Sequence, residues 1–140
     1  MAKIGLLYLN NGKWENQQIF SAEGATESSQ PYIDGKWNNE HYGYQWWINQ
    51  AGYYSAVGMF GQAIYVVPKK NLVVVFTSHI EGQNMYISGT LLQEYILPAV
   101  VSSEPLPPSP DDKARLDDML ASIAKEPAQG IVWSTENEGI

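Results

Sequence analysis

The chain has 140 residues and no cysteine, and its 15 acidic side chains outnumber its 8 basic ones, which gives a net charge of −7. Disulfide bridges and thiolate metal sites are therefore excluded, and the length suits one domain or one domain with a tail. Residues 1–100 carry a net charge of −2 and residues 101–140 a net charge of −5, with no basic stripe for nucleic-acid phosphates. No apolar run is long enough to span a bilayer, and no signal peptide is recognisable.

The N-terminal segment MAKIGLLYLNNGKW predicts a helix. Ile4, Leu7 and Tyr8 share one helical face, and the NNG sequence at residues 10–12 is a helix stop. No capping residue precedes the periodic stretch, so we expect the chain to begin inside or at the edge of its first helix. Residues 13–36 are polar and irregular, and we expect a loop there.

The next segments predict an antiparallel sheet. HYGYQWWINQ at residues 41–50 indicates one strand with aromatic side chains on both faces, and YYSAV at residues 53–57 indicates a second. QAIYVV and LVVVFTS are β-branched runs joined by PKKN, which predicts a hairpin whose strands are buried on both faces. We therefore expect an α+β fold with three to four antiparallel strands between an N-terminal and a C-terminal helix.

The C-terminal helix is predicted from NMYISGTLLQEYILPAV, where apolar side chains recur at helical spacing until Pro98 ends it. The members of this apolar face are Met85, Leu92, Tyr95 and Ile96. Four prolines then lie within residues 105–110, which predicts an extended linker, followed by a short acidic amphipathic helix from residue 111. For residues 126–140 we expect disorder or packing against a missing neighbour.

The glycines at Gly58 and Gly61, followed by Gln62, leave two interpretations open. They either allow a tight turn with a packed glutamine, or bring the backbone close to a substrate. Other motifs carry less information. His41 and His79 stand alone, and Ser-x-x-Lys at residues 122–125 is a spacing that any helix brings together, so we expect it to be coincidental.

Three motifs in order carry a resemblance: MAKIGLLYLNNGKW, YGYQWWI and AVGMFGQAIYVVPKKNLVVVFTS. Together they resemble the C-terminal part of the β-lactamase-related serine hydrolases, which include class C β-lactamases, penicillin-binding peptidases, esterases and 6-aminohexanoate-dimer hydrolases. The chain is most similar to the last type. In that type, the strand that enters the active site and forms one of its walls reads A-x-G-x-x-G-Q. Here these positions are Ala56, Gly58, Gly61 and Gln62.

The resemblance implies that residues 1–100 are the C-terminal portion of such a domain and that residues 101–140 are a connector. It implies acyl transfer through a serine activated by a lysine, with backbone N–H groups binding the substrate carbonyl. The implied substrate-binding residues are Gly58, Phe60, Gly61 and Gln62, and no cofactor or metal is implied. In such enzymes the Ser-x-x-Lys pair lies upstream of the MAKIG helix, so we expect this chain alone to be inactive.

The implied partners are a small amide or ester substrate and either a missing N-terminal half or a second copy joined through the exposed sheet. Nucleic acid and a membrane span are not expected. Complete family members are often periplasmic or secreted, but without a signal peptide the sequence leaves the location open. The resemblance does not give the substrate.

Two alternatives remain. The first is a non-catalytic module that binds sugar or peptide on an aromatic platform, formed by Trp37, Trp46, Trp47, Tyr53 and Tyr54. The second makes Ser122 and Lys125 a working catalytic pair.

Overall fold

The computed structural model describes residues 1–34, 40–82, 86–102, 104 and 106–125. The chain divides into two units, Met1–Ser103 and Glu104–Ile140. Within the described residues, no helix combines the length and the apolar composition that crossing a bilayer requires.

The first unit contains a six-stranded antiparallel sheet in which each strand pairs with the next one along the chain. A helix, a small hairpin and a second helix precede it: α1 (Ala2–Leu9), β1 (Lys13–Trp14), β2 (Gln17–Gln18) and α2 (Ala22–Ser28). The sheet strands are β3 (Ile33–Asp34), β4 (Glu40–Tyr42), β5 (Trp47–Asn49), β6 (Tyr53–Val57), β7 (Ala63–Val67) and β8 (Leu72–Phe76). The predicted α+β class with flanking helices is confirmed, but the described residues form a sheet of six strands rather than three to four.

Helix α1 forms as predicted and ends at Leu9 with Asn10 as its C-cap, after which Asn11 and Gly12 adopt left-handed backbone angles. Its buried face differs from the expected one, because Ile4 is exposed and Gly5 is buried. A Cβ on Gly5 would lie 2.5 Å from Cγ1 of Val73, so the absence of a side chain lets the helix backbone approach the sheet closely.

Residues 13–36 are more regular than predicted, since they contain the small hairpin, α2 and β3. Helix α2 begins at a signal that the sequence carries: the Ser21 hydroxyl accepts a hydrogen bond from the Gly24 N–H at 3.0 Å. The elements of two to seven residues are too short to establish a hydrophobic period, so only this cap could have indicated the helix.

The single strand predicted for residues 41–50 is instead the hairpin of β4 and β5, which places Tyr42 opposite Trp47. The Gly43 N–H donates to the Trp46 carbonyl at 2.8 Å, and Gln45 has a φ of 67°. The turn therefore holds a left-handed residue that is not glycine, which is uncommon and gives no obvious sequence signal.

Strand β7 is the most buried strand and pairs with β6 on one side and β8 on the other, and the predicted PKKN hairpin is confirmed. All five residues of β7 are buried, because Ile64 and Val66 face a core cluster with Trp46, whereas Tyr65 and Val67 face one with Leu92. Strand β8 is half-buried throughout and forms one edge of the sheet.

The helical segment after β8 consists of α3 (Ile87–Leu91), a π-helical turn (Leu92–Ile96) and α4 (Leu97–Ala99). The prediction that Pro98 ends the helix is wrong by one residue, since α4 continues to Ala99. Proline lacks an N–H and its ring crowds the carbonyl four residues earlier, and the π turn before it widens the helix there. On the predicted apolar face, Leu92 is buried but Tyr95 is exposed, and Met85 lies outside the described residues.

The second unit contains helix α5 (Pro110–Lys125), which agrees with the predicted acidic helix. Its apolar side chains are more than half exposed, namely Leu116, Met119, Leu120 and Ile123. The expectation for residues 126–140 lies outside the described residues.

Candidate functional site

The four predicted substrate-binding residues lie in and beside the turn between β6 and β7. Gly58 is extended, with φ −112° and ψ 177°, and precedes a 3₁₀ turn at Met59–Gly61. Phe60 and Gly61 both have left-handed backbone angles, with φ values of 61° and 79°. Gln62 then leads into β7. The structure thus brings the four together, and their role toward a substrate stays a prediction.

Gly58 has room for a side chain, whereas Gly43 in the neighbouring hairpin does not. A Cβ on Gly58 would make an ordinary contact at 3.7 Å with Cβ of Gln62, and its φ suits any residue. A Cβ on Gly43 would lie 2.4 Å from the carbonyl oxygen of Ser28. Intramolecular packing therefore accounts for the glycine at position 43 but not for the one at position 58.

Gln62 is anchored to the protein. Its side-chain Nε2 donates to the carbonyl oxygen of Ser78, just beyond β8, and its own carbonyl accepts from the Gly58 N–H at 2.8 Å. This geometry corresponds to the packed glutamine of the turn interpretation. It also means that the Gly58 amide is already used within the protein.

A groove of about 350 Å³ lies beside the turn. Aromatic, amide, aliphatic and thioether side chains line it, and the lining residues are Met1, Tyr42, Gln45, Trp47, Ala56, Val57, Gly58, Gln62 and Ile64. None of these side chains carries a formal charge, and Met1 also contributes the N-terminal amino group. Tyr42, Gln45 and Trp47 of the YGYQWWI motif join the site because the β4–β5 hairpin turns them toward the groove, which a single strand could not do.

The two histidines are surface residues with acidic neighbours. His41 Nδ1 lies 3.1 Å from Asp34 Oδ1 across the β3–β4 pair, and His79 Nε2 lies 3.7 Å from Glu81 Oε1. Among the residues that the structure describes, no three histidine, aspartate or glutamate side chains are grouped so that they could hold a metal ion.

The predicted aromatic platform does not form as one surface. Trp46 and Tyr53 are each only 3% exposed, and Tyr53 and Tyr54 pack into clusters on opposite faces of the sheet. Strand alternation sends neighbouring side chains to opposite faces, which is why adjacent tyrosines cannot share a platform here. Trp37 lies outside the described residues.

Ser122 occupies helix α5, where its hydroxyl donates to the carbonyl of Met119 at 2.7 Å. This is the usual back-bond of a helical serine. The side chain of Lys125 is not among the described parts of the structure, so the predicted coincidence of this pair remains untested.

Comparison with known proteins gives a structural match. No family model and no curated protein matches this chain. Similar solved structures include the "Putative 6-aminohexanoate-dimer hydrolase from Bacillus anthracis", with 31% identity and a TM-score of 0.57 over 70% of this chain. The matched 70% of the chain has a β-lactamase-like hydrolase fold.

The resemblance drawn from the three sequence motifs is thus supported at the level of the β-lactamase-like fold. The chain spans 27% of the length of the Bacillus anthracis protein, so the activity of such a whole hydrolase is not established for these residues.

Proposed function

We propose that this chain forms a substrate-binding wall of a β-lactamase-related serine hydrolase that cleaves an amide or an ester. In that reaction a serine hydroxyl attacks the substrate carbonyl carbon, a lysine takes the proton, and the tetrahedral oxyanion needs fixed N–H donors. The sequence contains one Ser-x-x-Lys, at residues 122–125, and its serine hydroxyl is bonded within α5. The proposal therefore places the nucleophile outside these 140 residues.

The observation that carries the proposal is that Ala56, Gly58 and Gln62 of the A-x-G-x-x-G-Q motif line one groove. Gly58 lacks a side chain although the protein would accommodate one, which leaves open space beside the backbone. A bound acyl group can use that space. The uncharged side chains of the lining agree with a substrate whose scissile group is an uncharged amide or ester.

The donors that remain for an oxyanion are the amides at the start of the 3₁₀ turn. The Gly58 N–H bonds to the Gln62 carbonyl, so it is not available. Met59 and Phe60 follow, and the first N–H groups of a helical turn have no carbonyl partner within it. Met59 and Phe60 follow Gly58 of the lining and are not lining residues themselves, so we assign these two amides to the substrate carbonyl at the rim of the groove.

The apolar edge of the sheet at β8 agrees with a substrate-binding wall that is one part of a larger assembly. Strand β8 ends the sheet, and its five residues are apolar without a charge or a proline. Such an edge tends to pair with another strand. The partner under this proposal is a further part of the hydrolase, and self-association through the same edge is the alternative.

The proposal is tested by titrating the isotopically labelled chain with 6-aminohexanoate dimer and following backbone amide signals by NMR. We expect perturbations at Met59 and Phe60, and weaker binding in Gly58→Ala, whose new methyl group enters the groove. Gly89→Ala is the matched control, because its Cβ makes an ordinary contact at 3.5 Å with Tyr65 Oη.

Three results would contradict the proposal. The first is the absence of perturbation at the β6–β7 turn, and the second is equal binding by wild type and Gly58→Ala. The third is turnover of nitrocefin or p-nitrophenyl esters by the purified chain that disappears in Ser122→Ala, because the nucleophile would then lie on α5.

A further inference from the structure

The turn at residues 58–62 is tied to the chain that leaves β8. The Ser78 hydroxyl donates to the Phe60 carbonyl at 2.8 Å, and the Ile80 N–H donates to the same carbonyl at 3.1 Å. In the other direction, Gln62 Nε2 donates to the Ser78 carbonyl. Three hydrogen bonds therefore converge on the turn from residues 78–80.

A ring contact adds to these bonds. The imidazole of His79 stacks on the phenyl ring of Phe60, with centroids 4.5 Å apart and planes inclined by 27°. Phe60 is 37% exposed, so the histidine covers a ring that the core does not bury.

These contacts surround a residue in an unusual conformation. Phe60 has φ 61° and ψ 21°, a left-handed region that residues with a side chain adopt rarely. Such a conformation persists only where the surrounding structure holds it. The carbonyl of Phe60 accepts both the Ser78 and Ile80 donors, so its peptide plane is fixed from outside the turn.

We propose that Ser78 is a positioning residue for the substrate wall, a role that rests on the function proposed above. By holding the Phe60 carbonyl, Ser78 keeps Phe60 left-handed and so sets the direction of the Phe60 amide, next to that of Met59. Gln62 supports the same geometry, because its side-chain Nε2 donates to the Ser78 carbonyl.

The consequence follows from rotation about the N–Cα bond of Phe60. Without the Ser78 hydroxyl, the Ile80 N–H alone holds the Phe60 carbonyl, so Phe60 samples negative φ, the favoured region for a phenylalanine, more often. The peptide plane that carries the Phe60 amide then turns relative to the plane of its carbonyl. An oxyanion donor displaced in this way loses its alignment with the substrate oxygen.

Amide hydrogen exchange tests the effect of Ser78 on the turn at residues 58–62 without any ligand. In Ser78→Ala we expect the Ile80 and Gly58 amides to exchange about threefold to tenfold faster, as expected for the loss of one hydrogen bond. Ser78→Thr should restore the wild-type rates because it keeps the hydroxyl. Thr77→Ala is the matched control, since Thr77 is the exposed neighbour. Unchanged exchange in Ser78→Ala, or equal acceleration in Thr77→Ala, would overturn the inference.

Titration with 6-aminohexanoate dimer distinguishes positioning from stability. We expect Ser78→Ala to bind about threefold to tenfold more weakly at a temperature where it is folded, with recovery in Ser78→Thr. Equal affinity of Ser78→Ala and wild type contradicts positioning, whereas no binding by wild type contradicts the proposed function. If Ser78→Ala does not fold, Ser78→Cys replaces it, because a thiol keeps a side chain of similar shape but is a much weaker hydrogen-bond donor than the hydroxyl.

Discussion

Gly43 and Gly58, both near the candidate site, differ in whether the protein has room for a side chain at that position. At Gly43 a side chain would collide with the backbone of α2, whereas at Gly58 it would meet only Cβ of Gln62 at an ordinary distance. The sequence shows the same letter at both positions, and only the distances to the surrounding atoms separate a packing requirement from open space beside a groove.

Tyr54 provides a residue-level prediction about pH. Burial, with Tyr8 as a second cause, raises the pKa of Tyr54 to about 12. Above pH 10 the unfolded chain loses this proton while the folded chain keeps it, so stability falls as the pH rises from about 10 to 12. Because Tyr54 is partly exposed, we expect a loss of about 1–1.5 kcal/mol, roughly half of the full two-unit effect.

The measurement compares urea unfolding of wild type and Tyr54→Phe between pH 9 and pH 12. The free energy of unfolding of wild type, relative to that of Tyr54→Phe, should fall by about 1–1.5 kcal/mol between pH 9 and pH 12. The other tyrosines titrate in both proteins, so their effects cancel. Parallel pH curves for the two proteins would show that Tyr54 ionises as in the unfolded chain.

At the scale of elements, the close packing of α1 on the sheet depends on Gly5. An alanine there would place Cβ 2.5 Å from Cγ1 of Val73 and 3.0 Å from Cγ2 of Ile64. Both neighbours are β-branched and stiff, so neither can move aside easily. We expect Gly5→Ala to destabilise the chain by about 1–3 kcal/mol, although alanine favours a helix over glycine.

A double-mutant cycle with Val73→Ala isolates this contact. Removing the Cγ methyl groups relieves the collision, so the double variant should be more stable than the sum of the two single changes by at least about 1 kcal/mol. Additive free energies of unfolding would show that α1 shifts away from the sheet freely. Gly89→Ala, in helix α3, should cause no loss.

Among the helices and strands, some could be predicted from the sequence and others could not. Helix α1, the PKKN hairpin and the start of β6 have strong periodic or turn signals, and they form as expected. The β4–β5 turn was missed, because it uses Gln45 in a left-handed conformation within an apparently continuous aromatic strand. The π turn before Pro98 was missed because it accommodates the proline inside the helix.

At the scale of the whole molecule, the apolar residues of the two units have different burial. In the first unit Leu92 is fully buried in one core cluster, whereas Leu120 of helix α5 is 55% exposed. We expect Leu92→Ala to lower the free energy of unfolding by about 2–5 kcal/mol. Leu120→Ala should change it by less than about 0.5 kcal/mol, since it removes little buried surface.

Chemical unfolding followed by tryptophan fluorescence and circular dichroism measures both variants under the same conditions. A loss in Leu120→Ala as large as that in Leu92→Ala would mean that the apolar stripe of α5 is covered in solution. A small effect for Leu92→Ala would contradict the placement of Leu92 in the core cluster with Tyr53, Tyr65 and Val67.

The order and type of the main elements were determined by the sequence itself, because helical and strand periods, turn residues and β-branched runs act over a few neighbouring positions. The motif order also indicated the β-lactamase-like fold. Tertiary structure decided which residues meet: it placed the YGYQWWI hairpin and the Gly58 turn around one groove and bonded Gln62 to Ser78. Contacts between residues 16 positions apart depend on strand pairing and packing, which no local pattern specifies.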